Sequence, residues 1–137
     1  MKRNITILVV DDEPMMRTLV EKILARQGFS IHTAENGQHA LEILEQVNPD
    51  IVISDVKMPK LDGFGLLKAV KEKLPNVGMI MMTAYGDTYT VKDALLLGAD
   101  EYVTKPFKSH EISLVVERVY WRILSASNGE PEPTAGK

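Results

Sequence analysis

Five short runs of β-branched and apolar residues alternate strictly with segments of helical period, and that alternation leaves few folds open. The runs are Ile5 to Val10, Ser30 to Ala34, Ile51 to Ser54, Val77 to Met82 and Glu101 to Thr104. Between the first two, Met16, Leu19, Val20, Ile23 and Leu24 recur at the three- and four-residue intervals that line one face of a helix. Ala40, Leu41, Ile43 and Leu44 mark a second helix, and Leu66, Leu67 and Val70 a third. Val91, Ala94, Leu95 and Leu97 mark a fourth, and Ile112, Val115, Val116 and Val119 a fifth. Pro14 suits a first helical turn, Gly28 and Gly98 suit helix ends, and Asn36-Gly37 and Asn48-Pro49 suit turns. Strands separated by helices must pair in parallel through right-handed crossovers, with helices on both faces of the sheet. The chain therefore reads as α/β, a doubly wound (βα)5 parallel sheet, in which the uninterrupted apolar run Ile7 to Val10 is a strand buried on both faces.

A chain of 137 residues fits one domain, expected here over residues 4–124. From Ser125 to Lys137 the composition turns to Ser, Asn, Gly, Glu and Pro, as in a disordered tail or the start of a linker. With no cysteine, disulfides and thiolate metal sites are excluded. A net charge of -3 offers no field to draw in nucleic acid or an anionic membrane. The longest apolar run, Ile5 to Val10, is too short to span a bilayer and meets acid at Asp11, so the expected location is the cytoplasm.

In an open parallel sheet, ligands bind outside the carboxyl ends of the strands, so the residues that follow each strand are the candidates for chemistry. Asp11, Asp12 and Glu13 follow the first run, Asp55 follows the third, Thr83 ends the fourth, and Lys105 before Pro106 ends the fifth. The second run contributes nothing reactive, as suits an edge strand lying outside a crevice formed by the other four. Taken singly, these residues have plainer roles: an acidic pair caps a helix, Asp55 sits in a turn, Thr83 is a strand-end hydroxyl and Lys105 a solvated charge. Taken together, three carboxylates in one crevice repel one another unless a cation joins them or their pKa values rise. Mg²⁺ suits a donor set without sulfur or histidine and leaves positions for phosphate oxygens. An ionised Asp55 attacks phosphorus without a general base. Mg²⁺, the Lys105 ammonium and the Thr83 hydroxyl would then meet the charge on the three peripheral phosphoryl oxygens. His32, His39 and His110 lack metal spacing and are read as surface residues, and Met79, Met81 and Met82 as core packing.

These motifs resemble the response-regulator receiver domain of two-component signalling. The resemblance rests on Val10-Asp11-Asp12-Glu13, Asp55-Val56-Lys57-Met58-Pro59 with Asp62-Gly63, Met82-Thr83-Ala84, and Lys105-Pro106-Phe107, in order after the right strands. It implies a flavodoxin-like strand order 2-1-3-4-5 and phosphorylation of Asp55 by a sensor histidine kinase or a histidine phosphotransfer protein. It also implies Asp12 and Asp55 as direct Mg²⁺ ligands, the backbone carbonyl of Lys57 as a third, and Asp11 acting through bound water, with Mn²⁺ able to substitute. Lys105 would precede a cis peptide to Pro106. Thr83 would move toward phosphorylated Asp55 and Tyr102 would rotate inward, switching a surface made of helix 4, strand 5 and helix 5, about Thr88 to Leu124. Lys57 and Tyr85 are both bulky and are expected to shield the acyl phosphate from water, as in the sporulation phosphorelay receiver that this sequence resembles. Met82-Thr83-Ala84-Tyr85-Gly86 also resembles receivers of enhancer-binding activators, which keeps open an N-terminal receiver piece of a DNA-binding transcription regulator. The receiver itself is expected to bind neither nucleic acid nor membrane.

The enzymatic rival is a dehalogenase-type phosphatase, which carries Asp-x-Asp at its nucleophile, whereas Lys57 stands two residues after Asp55 here. The expectation is a phosphoacceptor with slow self-dephosphorylation, not a turnover enzyme. Leu114, Tyr120, Trp121 and Leu124 fall outside the apolar stripe of helix 5, which suggests a partner surface or a phosphorylation-dependent homodimer there.

Overall fold

The computed structural model describes residues 5–58, 60–84 and 88–128. Strand β1 (Thr6–Val10) is followed by α1 (Pro14–Ala25), β2 (Ser30–Ala34), α2 (Gly37–Leu44) and β3 (Ile51–Asp55). Then come α3 (Gly63–Lys73), β4 (Gly78–Ala84), α4 (Thr88–Leu96), β5 (Glu101–Lys105) and α5 (Ser109–Asn128). The five strands pair in parallel in the order β2-β1-β3-β4-β5. This is the flavodoxin-like arrangement, with β2 and β5 at the edges.

Alternation of side chains along each strand divides the core between the two faces. Ile7, Val9, Ile51, Ile53, Ile80 and Met82 pack with Val20, Ile23 and Leu24 of α1 and with Ile112, Val116 and Val119 of α5. Leu8, Val10, Val52, Met79 and Met81 pack with Ala40 of α2, Leu66, Leu67 and Val70 of α3, and Ala94 of α4. The central strands are therefore covered on both sides, which is why Ile7 to Val10 carries no polar residue.

Three strands run past the end of their apolar pattern: β3 takes in Asp55, β4 takes in Thr83 and Ala84, and β5 takes in Lys105. The ladder pairs Asp55 with Met82, Thr83 with Thr104, and Ala84 with Lys105. Backbone pairing does not depend on side-chain polarity, so the reactive residues occupy the last rungs of the sheet and inherit its rigidity. At the opposite end, the Asp50 and Asp100 carboxylates accept the N–H groups of Thr6 (2.9 Å) and Met79 (2.7 Å), closing the strand starts.

Two expectations for α5 need correction. Tyr120 is not outside the core stripe: it is 1% exposed and meets Phe29 edge to face at 6.3 Å. Positions 112, 115, 116, 119, 120 and 123 continue one helical period, so the stripe is simply wider than four residues. Leu124 also packs against the core, whereas Leu114 and Trp121 are 54% and 44% exposed. The helix continues to Asn128, past the composition change at Ser125, which is itself buried. Extending a helix costs far less than nucleating one, so Ser-Ala-Ser-Asn continues it without apolar residues. Residues 129–137 lie outside the described residues.

Candidate functional site

The crevice over the carboxyl ends of β1, β3, β4 and β5 gathers four of the expected residues. One carboxylate oxygen from each of Asp11, Asp12 and Asp55 lies within 4.8 Å of the others. Asp11 is fully buried, Asp55 is partly buried and Asp12 faces solvent. Lys105 reaches in from the end of β5. Its ammonium stands 3.1 Å from Asp11 Oδ2, 3.3 Å from Asp55 Oδ2 and 3.6 Å from Glu13 Oε1.

This crowding sets the charge states. Burial pushes the Asp55 carboxyl above its ordinary value; the Lys105 ammonium pulls it back, and the Asp11 charge adds to the rise. Burial alone would lower Lys105, but Asp55 and Asp11 together outweigh it and hold the ammonium above its ordinary value. Among the described residues, one cation, Lys105, is ion-paired with three carboxylates, Asp11, Glu13 and Asp55, which leaves the carboxylates short of paired positive charge. The donors of the cluster are all oxygen, which matches a hard cation such as Mg²⁺.

Thr83 sits one rung beyond Met82, the ladder partner of Asp55. It is 1% exposed, and its hydroxyl is buried without a hydrogen-bond partner among the described residues. An unpaired buried hydroxyl costs free energy, so its persistence at the edge of the crevice fits a ligand oxygen that completes it.

The loop after β3 is held tightly. Val56 N–H donates to the Met82 carbonyl at 3.1 Å, and Gly63 N–H to the Val56 carbonyl at 2.8 Å. Asp62 caps α3 by accepting the Gly65 N–H at 2.9 Å. A Cβ on Gly63 would fall 2.3 Å from the Asp55 carbonyl oxygen, so a larger residue would displace the backbone that carries Asp55. The Lys57 side chain is exposed. The Lys105–Pro106 peptide is cis. Tyr102, opposite Met81 on β5, is 38% exposed and points away from the core. Tyr85 lies outside the described residues.

Sequence reasoning named Glu13 after the first strand without giving it a role, passed over Arg17 and misjudged one histidine. Glu13 makes the third contact to Lys105. Arg17, in α1, donates from Nη1 to the Asp11 carbonyl at 2.7 Å; its placement six residues after Asp11 was the only signal. Of the three histidines expected on the surface, His32 and His110 are exposed, but His39 is half-buried. Its Nδ1 accepts the Glu35 N–H at 3.1 Å, and this bond helps close the turn that Asn36 caps.

The sequence matches the profile of the response regulator receiver domain over residues 7–117. It is 41% identical over 112 residues to the regulatory protein AtoC of Escherichia coli (strain K12), covering 82% of this chain and 24% of AtoC. It is 39% identical over 130 residues to the probable transcriptional regulator ycf27 of Guillardia theta, covering 95% of this chain and 51% of that protein. The receiver domain of NtrX from Brucella abortus superposes with a TM-score of 0.80 at 35% identity, covering 83% of this chain and 97% of that structure. The chain thus spans a quarter to a half of the length of these curated relatives. Among the described residues, no helix is long and apolar enough to cross a membrane.

Proposed function

The chain belongs to the response regulator receiver domain family, and on that premise we propose that it accepts a phosphoryl group on Asp55. The donor would be a phosphohistidine of a sensor kinase or a phosphotransfer protein. A carboxylate oxygen of Asp55 attacks phosphorus, a new O–P bond forms, and the P–N bond of the donor breaks. The electron pair leaves with the imidazole, which takes up a proton from solvent. Asp11, Asp12 and Asp55, with the Lys57 carbonyl, would hold Mg²⁺, and the bound ion would neutralise charge on the transferring group. Lys105 already stands 3.3 Å from Asp55 and would turn its ammonium to a phosphoryl oxygen. The Thr83 hydroxyl would donate to another.

The observation that carries this reading is the buried Thr83 hydroxyl, without a partner among the described residues, beside the nucleophile's strand. A purely structural acidic cluster would have no use for it. Movement of Thr83 toward the phosphoryl group, followed by Tyr102 turning inward, would pass the signal to α4, β5 and α5. Exposed Leu114 and Trp121 on α5 make a surface on which a partner or a second copy would dock. The site has no second carboxylate at position 57 to act as general acid and base. We therefore assign a phosphoacceptor and not a turnover phosphatase, working in the cytoplasm.

Incubation with acetyl phosphate and Mg²⁺, read by intact mass, tests the proposal. Wild type should gain the mass of one HPO₃ unit, chelation of Mg²⁺ should prevent the gain, and Asp55→Ala should show none. A gain that persists in chelator would remove the metal from the mechanism. A second reading, the receiver part of a longer transcription regulator, is favoured by the fraction of AtoC and ycf27 that the chain covers. An open reading frame continuing past codon 137 of the gene would support it, and a stop codon there would exclude it.

A further inference from the structure

Every acceptor that Asp11 presents is engaged. Oδ1 takes the Glu13 N–H at 2.9 Å, Oδ2 takes the Lys105 ammonium at 3.1 Å, and the main-chain oxygen takes the Arg17 guanidinium at 2.7 Å. The last of these has a topological cause. The Asp11 N–H still finds a sheet partner in the Ala34 carbonyl, at 3.2 Å, but β2 ends at Ala34 and offers nothing to the Asp11 carbonyl. Arg17 supplies the missing partner from α1 with a charge-assisted bond. Its own N–H donates to the Glu13 carbonyl at 3.0 Å, so Arg17 fastens the loop at two points.

The carbonyl held by Arg17 belongs to the peptide that joins Asp11 to Asp12. The orientation of that peptide sets the direction in which the Asp12 side chain leaves the backbone. Asp12 is exposed and has little packing to fix it otherwise. We infer that Arg17 is a positioning residue for the divalent cation: by holding the Asp11–Asp12 peptide it keeps Asp12 aimed at the point shared with Asp11 and Asp55. The inference rests on the reading of that carboxylate cluster as a Mg²⁺ site.

Arg17 acts on a cation in two opposed ways. Its charge repels, whereas its hydrogen bond prearranges the ligands. Arg17 is half-buried, so solvent and salt partly screen the repulsion. Loss of a group that orients metal ligands typically weakens binding by about ten- to a hundredfold. The positioning effect therefore dominates, and removal of Arg17 weakens Mg²⁺ binding instead of strengthening it.

Calorimetric titration of Mg²⁺ into the full chain tests this in wild type, Arg17→Met and Arg17→Lys. Arg17→Met is expected to raise the Kd about tenfold, and Arg17→Lys, which keeps a charged donor, to recover most of the loss. In phosphorylation by acetyl phosphate, the Mg²⁺ concentration for half-maximal rate should rise by the same factor, with the rate at saturating Mg²⁺ unchanged. General loss of structure would lower both. Equal or tighter Mg²⁺ binding by Arg17→Met would overturn the inference, as would an equal loss in both variants. If Arg17→Met does not fold, Arg17→Gln takes its place: binding weaker than in Arg17→Lys supports the inference, and binding equal or tighter overturns it. A wild type that takes up no Mg²⁺ would remove the metal-site reading and this inference with it.

Discussion

Replacing Thr83 by Val should make the metal-free protein more stable while weakening its grip on a phosphoryl group. The hydroxyl of Thr83 is buried in a residue 1% exposed and has no partner among the described residues. Removing one partner of a made hydrogen bond normally destabilises, but here no bond exists to lose. An unpaired buried hydroxyl costs on the order of 1–3 kcal/mol. Val keeps the branched shape, so no cavity opens to offset the gain. We expect a gain of about 1 kcal/mol, which for a domain of this size raises Tm by roughly 3–5 °C. With Mg²⁺ and beryllofluoride as a phosphoryl mimic, the order reverses. The variant lacks a donor to the anion, and a hydrogen bond to a charged group contributes about 1.5 kcal/mol, so the apparent affinity should fall about tenfold. Thermal unfolding of both proteins, with and without mimic, reads both effects. Destabilisation of the ligand-free variant would show that the hydroxyl is already bonded, and unchanged mimic affinity would show that it does not face the anion.

The remaining perturbations act on charge and on water access. Because the folded pKa of Asp55 lies above the ordinary 3.8, the native state binds more protons than the unfolded chain between those two values, and stability falls as pH rises through that window. Asp55→Asn should remove this slope and stabilise the metal-free protein at neutral pH, measured by urea unfolding at several pH values. A loss of stability at neutral pH would contradict it. Lys105 has a folded pKa above 10.5, so its contribution is complete below that value and fades as pH rises through the folded pKa. Lys105→Met should cost about 2–3 kcal/mol in chelator and regain part of it in Mg²⁺, since the cation replaces the missing charge. For the acyl phosphate, Lys57→Asn and Tyr85→Ala should each shorten the lifetime, followed by loss of the adduct mass after donor removal; unchanged lifetimes in both would exclude shielding.

Much of the fold is legible because strand and helix periods differ and each is repeated five times. Continuous apolar Ile7 to Val10 announces a strand covered on both faces, and the two cores on either side of it are the reason. The site is legible to the extent that its residues end strands, because parallel strands deliver their carboxyl ends to one crevice. Asp55 and Lys105 close β3 and β5, Thr83 is the last but one residue of β4, and Asp11 directly follows β1. Arg17 has no such place: it lies on a helix, and its role depends on where β2 stops. Nor has Glu13, whose approach to Lys105 depends on the path of the loop into α1. Tyr120 was hidden because periodicity fixes the centre of a buried stripe and not its width. The end of α5 was hidden because composition reports apolar content, whereas helix continuation rests on backbone hydrogen bonds.

The central claim is that Asp55 itself becomes the acyl phosphate, and its chemical trapping is the most direct test. Borohydride reduces an aspartyl phosphate to homoserine, so protein treated with acetyl phosphate and Mg²⁺, then reduced and digested, carries a mark at the acceptor residue. Peptide sequencing by mass should find homoserine at position 55 alone. Homoserine at position 11 or 12, with Asp55 unmodified, would contradict it.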